Sequence, residues 1–277
     1  MDATILETLH LIATTAGQVV LEVYETLSIA VEHKGPGDPV TAADRRANRL
    51  IVQRLHHAFP DIPIVAEESE SASFAGFREA DRVFFVDPLD GTREFIQRNG
   101  EFAVMIGLLE GLTALAGVVH APVPGTMWIG AVGLGAWRLD SVAGRRRPVR
   151  VSATADLAQA RVVASRSHRS RVLERALASL GAREVQPMGS AGLKGAQVAE
   201  GLADAYVDTG ASTKRWDACA IDALVTAAGG RVSDVRGAPI DYRGPGLANE
   251  RGLVVSNGCM HEAILTKLAR QVSSVSP

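Results

Sequence analysis

Apolar residues recur near the start of the chain at Ile5, Leu9, Ile12, Ala16, Val19, Val20, Val23 and Leu27, a helical spacing that predicts an amphipathic helix from Ala3 to roughly Leu27. The same period resumes at Ala47, Leu50, Ile51 and Leu55, with Thr41 or Asp44 near the start of this second helix. Gly35-Pro36-Gly37-Asp38-Pro39 between them reads as a loop. The rhythm then shortens. Ile64-Val65-Ala66 and Val83-Phe84-Phe85-Val86 are unbroken apolar runs that predict strands. The second should be buried on both faces and halt at Asp87-Pro88, because proline has no amide with which to extend a ladder. Phe102 to Leu109, Leu115 to Val119, Thr126 to Ala131 and Gly135 to Leu139 continue as a meander, with a hairpin at Glu110-Gly111-Leu112-Thr113.

Farther along, strands alternate with helices. Val162-Val163-Ala164 predicts a strand, Arg171 to Leu180 a helix, Val185 to Met188 a strand, and Val198 to Gly201 the end of another helix. Ala205-Tyr206-Val207 is strand-like, and Trp216-Asp217 opens the most apolar helix, Ala218 to Ala228, closed by Gly229-Gly230. Val232-Ser233-Asp234 and Leu253 to Ser256 are late strands, and His261 to Val272 a closing helix. The expected architecture is an α+β unit with an antiparallel sheet at 1–148 and an α/β unit at 149–277, joined within Ala143 to Ser152.

Composition narrows the function classes. The chain has 277 residues, 47% hydrophobic and 22% charged, which is ordinary for a globular protein. Its 29 basic and 31 acidic side chains leave a net charge of -2, so no global field recruits a nucleic-acid polymer or an anionic membrane. An anionic substrate therefore needs a local site. Arg145-Arg146-Arg147 reads as a solvated loop. Cys219 and Cys259 form no CxxC pair, and Val225 and Leu265 stand where a cysteine-nucleophile phosphatase loop needs arginine. These cysteines, the lack of a leader pattern, and no apolar stretch approaching the roughly 20 residues of a span predict a cytoplasmic chain without an integral membrane segment.

The chemistry gathers where strands end. Glu67-Glu68 follows one apolar run, and Asp87 and Asp90 follow the next. If the two strands lie side by side, Glu67, Asp87 and Asp90 converge. Asp90-Gly91-Thr92 then turns into a helix, with Asp90 or Thr92 able to cap it. Carboxylates facing a helix start suit divalent cations and phosphate: hard oxygens for the metal, unpaired amides for the anion. Asp87 and Asp90 fit equally well as a strand stop and a helix cap. Asp44 fits either as a first-turn acid serving its helix dipole or as a site residue, and Asp217 either as an N-cap or as a group projecting into a cleft. An EF-hand loop, an aspartyl-phosphate motif and a Walker loop are excluded by spacing, and Gly133 and Gly135 lack the third glycine of a dinucleotide fingerprint.

Asp44, Glu67-Glu68, Asp87-Pro88-Leu89-Asp90-Gly91-Thr92, Trp216-Asp217 and Gly229-Gly230, in this order, resemble the lithium-sensitive, magnesium-dependent phosphomonoesterase superfamily. Its members include inositol monophosphatases, fructose-1,6-bisphosphatases and 3'(2'),5'-bisphosphate nucleotidases. The resemblance covers nearly the whole chain and implies a layered αβαβα sugar-phosphatase fold. It also implies Glu67, Asp87 and the Leu89 carbonyl on a first Mg²⁺, Asp87, Asp90 and Asp217 on a second, and a third, weaker ion near Glu67. Mn²⁺ is expected to substitute, and Li⁺ and Ca²⁺ to inhibit. Gly91 and Thr92 amides would hold the phosphate, and Thr92, oriented by Asp44, would polarise the attacking water. Glu68 is given no direct ligand role.

Within the superfamily, Asp87 to Phe102 looks most like the bacterial 3'(2'),5'-bisphosphate nucleotidases. So do the Ser165-Arg166-Ser167-His168 turn and the Gly189-Ser190 to Lys194 element, although Ala191-Gly192 before Leu193 departs from the pattern in spacing. The resemblance places Ser190 and Lys194 on the nucleotide's 5'-phosphate, His168 near its base and Asp217 beside the substrate. The implied reaction removes the 3'-phosphate of adenosine 3',5'-bisphosphate, with an inositol or sugar phosphatase as the alternative and a non-catalytic metal-binding regulator as the third. The partner is a small phosphate ester, and a homodimer is common in the superfamily.

Overall fold

The computed structural model describes residues 3–35, 38–140, 144–210 and 212–273. Helix α1 (Ala3–Tyr24) precedes a small hairpin, β1 (Val31–Gly35) and β2 (Asp38–Thr41), then α2 (Ala42–Ala58) and β3 (Ile64–Ala66). β4 (Arg82–Asp90), α3 (Thr92–Ile96), β5 (Ala103–Glu110), β6 (Thr113–Ala121), β7 (Thr126–Ala131), β8 (Gly135–Asp140) and β9 (Arg145–Val149) follow. The second half contains β10 (Arg161–Ser165), α4 (Arg171–Leu180), β11 (Glu184–Met188), α5 (Ala191–Ala199), β12 (Ala205–Asp208), α6 (Arg215–Ala227), β13 (Arg231–Ser233), β14 (Leu253–Ser256) and α7 (His261–Ser273).

Two sheets organise these elements. A seven-stranded sheet runs in the order β3-β4-β5-β6-β7-β8-β9, parallel between β3 and β4 and antiparallel elsewhere. A five-stranded sheet runs β11-β10-β12-β14-β13, parallel around β10 and antiparallel around β14. The alternation of side chains along each strand builds five layers. On β4, Phe84 and Val86 join a core with Leu9, Ala16, Ile51 and Leu55 of α1 and α2, while Val83 and Phe85 join one with Ala220 and Leu224 of α6. On β14, Leu253 and Val255 share that second core, whereas Val254 packs with Leu177 of α4 and Ile264 of α7. The order is therefore helices, sheet, helices, sheet, helices, as the resemblance implies.

Close approach of α6 to the first sheet depends on small residues. A Cβ at Gly117 would lie 2.2 Å from the Ala220 carbonyl oxygen, and one at Gly107 would lie 2.6 Å from the Ala220 nitrogen. These glycines let the helix from the second half rest directly on strands of the first.

The structure departs from the sequence-based expectations at several places. Residues 31–35 and 38–41 pair as a hairpin where a loop is expected over 35–39. Arg145-Arg146-Arg147 lies on the exposed edge strand β9 rather than in a loop, because backbone pairing with β8 tolerates outward-facing arginines. β4 passes through Pro88 to Asp90. Its pairing with β5 shifts between Asp87 and Asp90, a bulge that removes the need for a proline amide. Helix α1 also answers the membrane expectation: Thr4–Tyr24 is long and apolar enough to span a bilayer by length and composition. Its Leu9, Ile12, Ala13, Ala16 and Val20 are nevertheless buried in the protein core.

Candidate active site

The parallel register of β3 and β4 sets Ala66 opposite Val86, and the Glu67 amide donates to the Val86 carbonyl at 3.0 Å. This brings the next residues, Glu67 and Asp87, to the same end of the sheet. At the bulge, Asp87 Oδ1 accepts the Leu89 amide at 2.9 Å. Asp217 arrives from the first turn of α6, where its carboxylate accepts the Lys214 amide, so it caps its helix and faces the cleft at once. It occupies the third helical position rather than the N-cap, which is Lys214. One oxygen from each of Asp87, Asp90 and Asp217 lies within 4.8 Å of the others.

Asp87 and Asp217 are only 2% and 8% exposed. Burial first, then repulsion from Glu67, Asp90 and Asp217, pushes the Asp87 pKa well above the carboxylate range. Burial, Asp90 and Glu67 do the same to Asp217. Burial raises Glu67 to about 7 even though Lys34 opposes the rise. Hard oxygen donors crowded into a poorly solvated site at mutual electrostatic cost fit a divalent cation. The Leu89 carbonyl stands beside them and accepts from Thr92 Oγ1 at 3.3 Å.

Thr92 occupies the first position of α3, behind the N-cap Gly91, whose φ of +97° is in the left-handed region. A Cβ at Gly91 would also meet the Glu101 carbonyl oxygen at 2.9 Å, so glycine is required twice over. Neither Asp90 nor Thr92 is the cap expected from sequence. Thr92 Oγ1 instead donates to Asp44 Oδ1 at 3.0 Å. The other Asp44 oxygen accepts the Thr41 amide at 2.8 Å and the Thr41 hydroxyl at 2.6 Å, closing a capping box at the start of α2. Asp44 thus serves its helix and also faces Thr92.

Glu67, Asp87, Leu89, Asp90, Thr92 and Asp217 line a cavity of about 400 Å³. Arg93, Ser167, His168, Ser190, Lys194 and Tyr206 line it as well. Burial, then the nearby Arg93 charge, lowers the His168 pKa and favours the neutral imidazole. Ser167 Oγ donates to buried Glu94 at 2.6 Å. Ser190 Oγ donates to Asp90 Oδ2 at 2.5 Å, and the same oxygen accepts the Gly192 amide at 2.7 Å. The Lys194 ammonium turns inward to the Ser190 carbonyl at 2.7 Å. Glu101, just before β5, accepts from the Arg166 guanidinium and from the Gly189 amide, tying the two halves of the chain together.

Sequence reasoning did not single out Lys34. Its Nζ lies 2.9 Å from Glu67 Oε1 and 2.5 Å from Glu68 Oε1. Burial works against its charge, but the two glutamates more than reverse that and hold its pKa above the usual lysine range. The available signal was a lone lysine before the Gly35-Pro36-Gly37 sequence, which carries no pattern of its own. Arg93 directly follows Thr92 in the sequence, but its place beside His168 depends on the approach of the two halves.

Residues 1–275 match the Inositol monophosphatase family. The chain is 39% identical over 232 residues to the 3'(2'),5'-bisphosphate nucleotidase CysQ of Escherichia coli strain K12, covering 83% of this chain and 91% of that one. The CysQ of Salmonella typhimurium is 39% identical over 238 residues, covering 86% and 93%. Among solved structures, the IMPase of Thermotoga maritima superposes with a TM-score of 0.81 at 27% identity, covering all of both chains. The extragenic suppressor protein suhB of Bartonella henselae gives 0.82 at 27%, covering 96% of this chain and 98% of that one.

Proposed function

We propose, for a chain that belongs to the inositol monophosphatase family, that this phosphatase removes the 3'-phosphate of adenosine 3',5'-bisphosphate. The convergence of Asp87, Asp90 and Asp217 at one end of a cavity large enough for a small phosphate ester carries the phosphatase chemistry. The choice of a nucleotide rests on the relatives that carry that activity in their names.

In this reading Glu67, Asp87, the Leu89 carbonyl, Asp90 and Asp217 hold two or three Mg²⁺ ions. When bound, such ions lower the pKa of water and offset charge on the leaving oxygen. Thr92, held by Asp44, orients the attacking water for in-line displacement. Gly91 and Thr92 amides face the phosphate at the start of α3. Glu67 supports the water from the other strand end. The nucleoside and its second phosphate extend toward His168, Ser190 and Lys194, and neutral His168 offers a flat face for the base. No covalent phosphoenzyme is required.

A panel of adenosine 3',5'-bisphosphate, inositol 1-phosphate and fructose 1,6-bisphosphate, assayed with Mg²⁺, tests the substrate. The bisphosphate nucleotide should have the highest kcat/KM. Better turnover of inositol 1-phosphate would overturn the nucleotide reading, and inactivity on all three with Mg²⁺ bound would favour a metal-binding regulator.

A further inference from the structure

Of Asp87, Asp90 and Asp217, only Asp217 comes from the second half of the chain, so its place beside the other two depends on where α6 begins. The N-cap of α6 is Lys214. Lysine has no side-chain oxygen to offer the free amides of a first turn, unlike the serine, threonine, asparagine or aspartate that usually stands there. The start of this helix is held instead by a segment of the loop between β13 and β14. Ala248 pairs with Lys214 as an isolated antiparallel bridge, and the next residue, Asn249, is only 7% exposed.

Two consecutive peptide planes are pinned from both edges. In the first, the Asn249 amide donates to the Thr213 carbonyl at 2.9 Å, and the Lys214 amide on the opposite edge donates to Asp217 Oδ2. In the second, Asn249 Nδ2 donates to the Lys214 carbonyl at 2.7 Å, and the Arg215 amide donates to the Leu247 carbonyl at 2.9 Å. Nδ2 also donates to Thr213 Oγ1 at 3.1 Å, so both of its hydrogens are used. A peptide unit is rigid and planar, and fixing its carbonyl fixes the direction of its amide hydrogen. With both planes held, the Lys214 backbone cannot turn its amide away from the Asp217 carboxylate.

We propose that Asn249 is a positioning residue for Asp217: its side chain fixes the backbone of Lys214, and the Lys214 amide sets the Asp217 carboxylate for the cation. The inference rests on the reading of Asp87, Asp90 and Asp217 as a metal site. Thr213, Lys214 and Asp217 line the cavity and Asn249 does not, so it acts through them rather than on a substrate. Two alternatives make different predictions. An asparagine that only ties the loop to α6 would contribute stability and leave the cation affinity of the folded protein alone. One that shaped the substrate end of the cavity would change KM and not the metal.

The test uses the full chain and Mn²⁺ as the probe, with binding followed by electron paramagnetic resonance of free Mn²⁺ and stability by thermal melts. Asn249→Ala removes both side-chain bonds and keeps the backbone amide on Thr213. It should weaken Mn²⁺ about tenfold, the lower end of the scale for losing a group behind a metal ligand. The Mn²⁺ concentration giving half-maximal turnover should rise by the same factor, while KM for adenosine 3',5'-bisphosphate at saturating Mn²⁺ stays close to the wild-type value. Asn249→Ser, which keeps one donor on a shorter side chain, should move the metal readouts in the same direction and supplies the test if the alanine variant does not fold. A folded variant with a lower thermal midpoint and wild-type Mn²⁺ affinity overturns the inference, as does a change confined to KM or the failure of both variants to fold. Wild-type protein that binds no Mn²⁺ overturns the metal-site reading and the inference together.

Discussion

Asp44 and Thr92 lie 48 residues apart in sequence, yet Thr92 Oγ1 donates to Asp44 Oδ1 at 3.0 Å, linking the first turn of α2 to the first residue of α3. One carboxylate thereby secures a helix start and orients a hydroxyl just past the end of β4. The two Asp44 oxygens have different partners, so the Thr92 contact and the capping box can be disrupted separately.

Thr92→Val removes only the hydroxyl contact. Turnover should fall roughly a hundredfold or more, the scale of a lost proton-handling group, while the thermal midpoint stays close to wild type. Asp44→Asn should lose activity and also stability, since it weakens the capping box. Steady-state kinetics paired with thermal melts distinguish the two.

Asp90→Asn should leave the circular dichroism spectrum unchanged and reduce turnover by orders of magnitude, because it removes charge from the cation site while keeping the shape of the side chain. Loss of the folded spectrum would mean instead that Asp90 chiefly joins β4 to α5.

Without metal, stability should fall as pH rises from 6.5 to 8. Glu67, raised to about 7, binds more protons folded than unfolded in this range, and burial with mutual repulsion raises Asp87 and Asp217 in the same direction. The folded state is therefore favoured below the ordinary carboxylate pKa and loses that advantage through the folded values. His120 and His261, both lowered to about 4 from the ordinary 6.5, change stability with the opposite sign between those values, and their effect fades as this window opens. Thermal melts in a chelator should show the midpoint falling with pH, and excess Mg²⁺ should abolish the slope.

Lithium at millimolar concentration should inhibit and Mn²⁺ should replace Mg²⁺, whereas Ca²⁺ should bind without supporting turnover. Activity unaffected by lithium would place the cation site apart from its family.

Gly117→Ala tests the seam between the halves. The added methyl carbon meets the Ala220 carbonyl oxygen at 2.2 Å, so α6 must retreat from β6. A loss of about 1–3 kcal/mol is expected from denaturant midpoints, with reduced activity as Asp217 moves with its helix.

The sequence by itself determined what is local. The unbroken apolar run Val83 to Val86, the helical period of α1 and α2, and the carboxylates that end two apolar runs are consequences of short-range spacing, and each is legible without the fold. The likeness to relatives extended that reading to Asp217 and to the layered architecture. Only the tertiary structure decided how individual side-chain atoms are partnered. Lys34 on Glu67, Ser190 on Asp90 and the inward turn of Lys194 join residues 33, 100 and 4 positions apart. Even the shortest of these depends on a backbone conformation that no apolar pattern encodes. The stop expected at Asp87-Pro88 is instead a bulge between Asp87 and Asp90, because β5 continues beside β4 and holds Asp90 within reach of α5 and α6. Register and close helix approach set those distances, and both are properties of the packed layers.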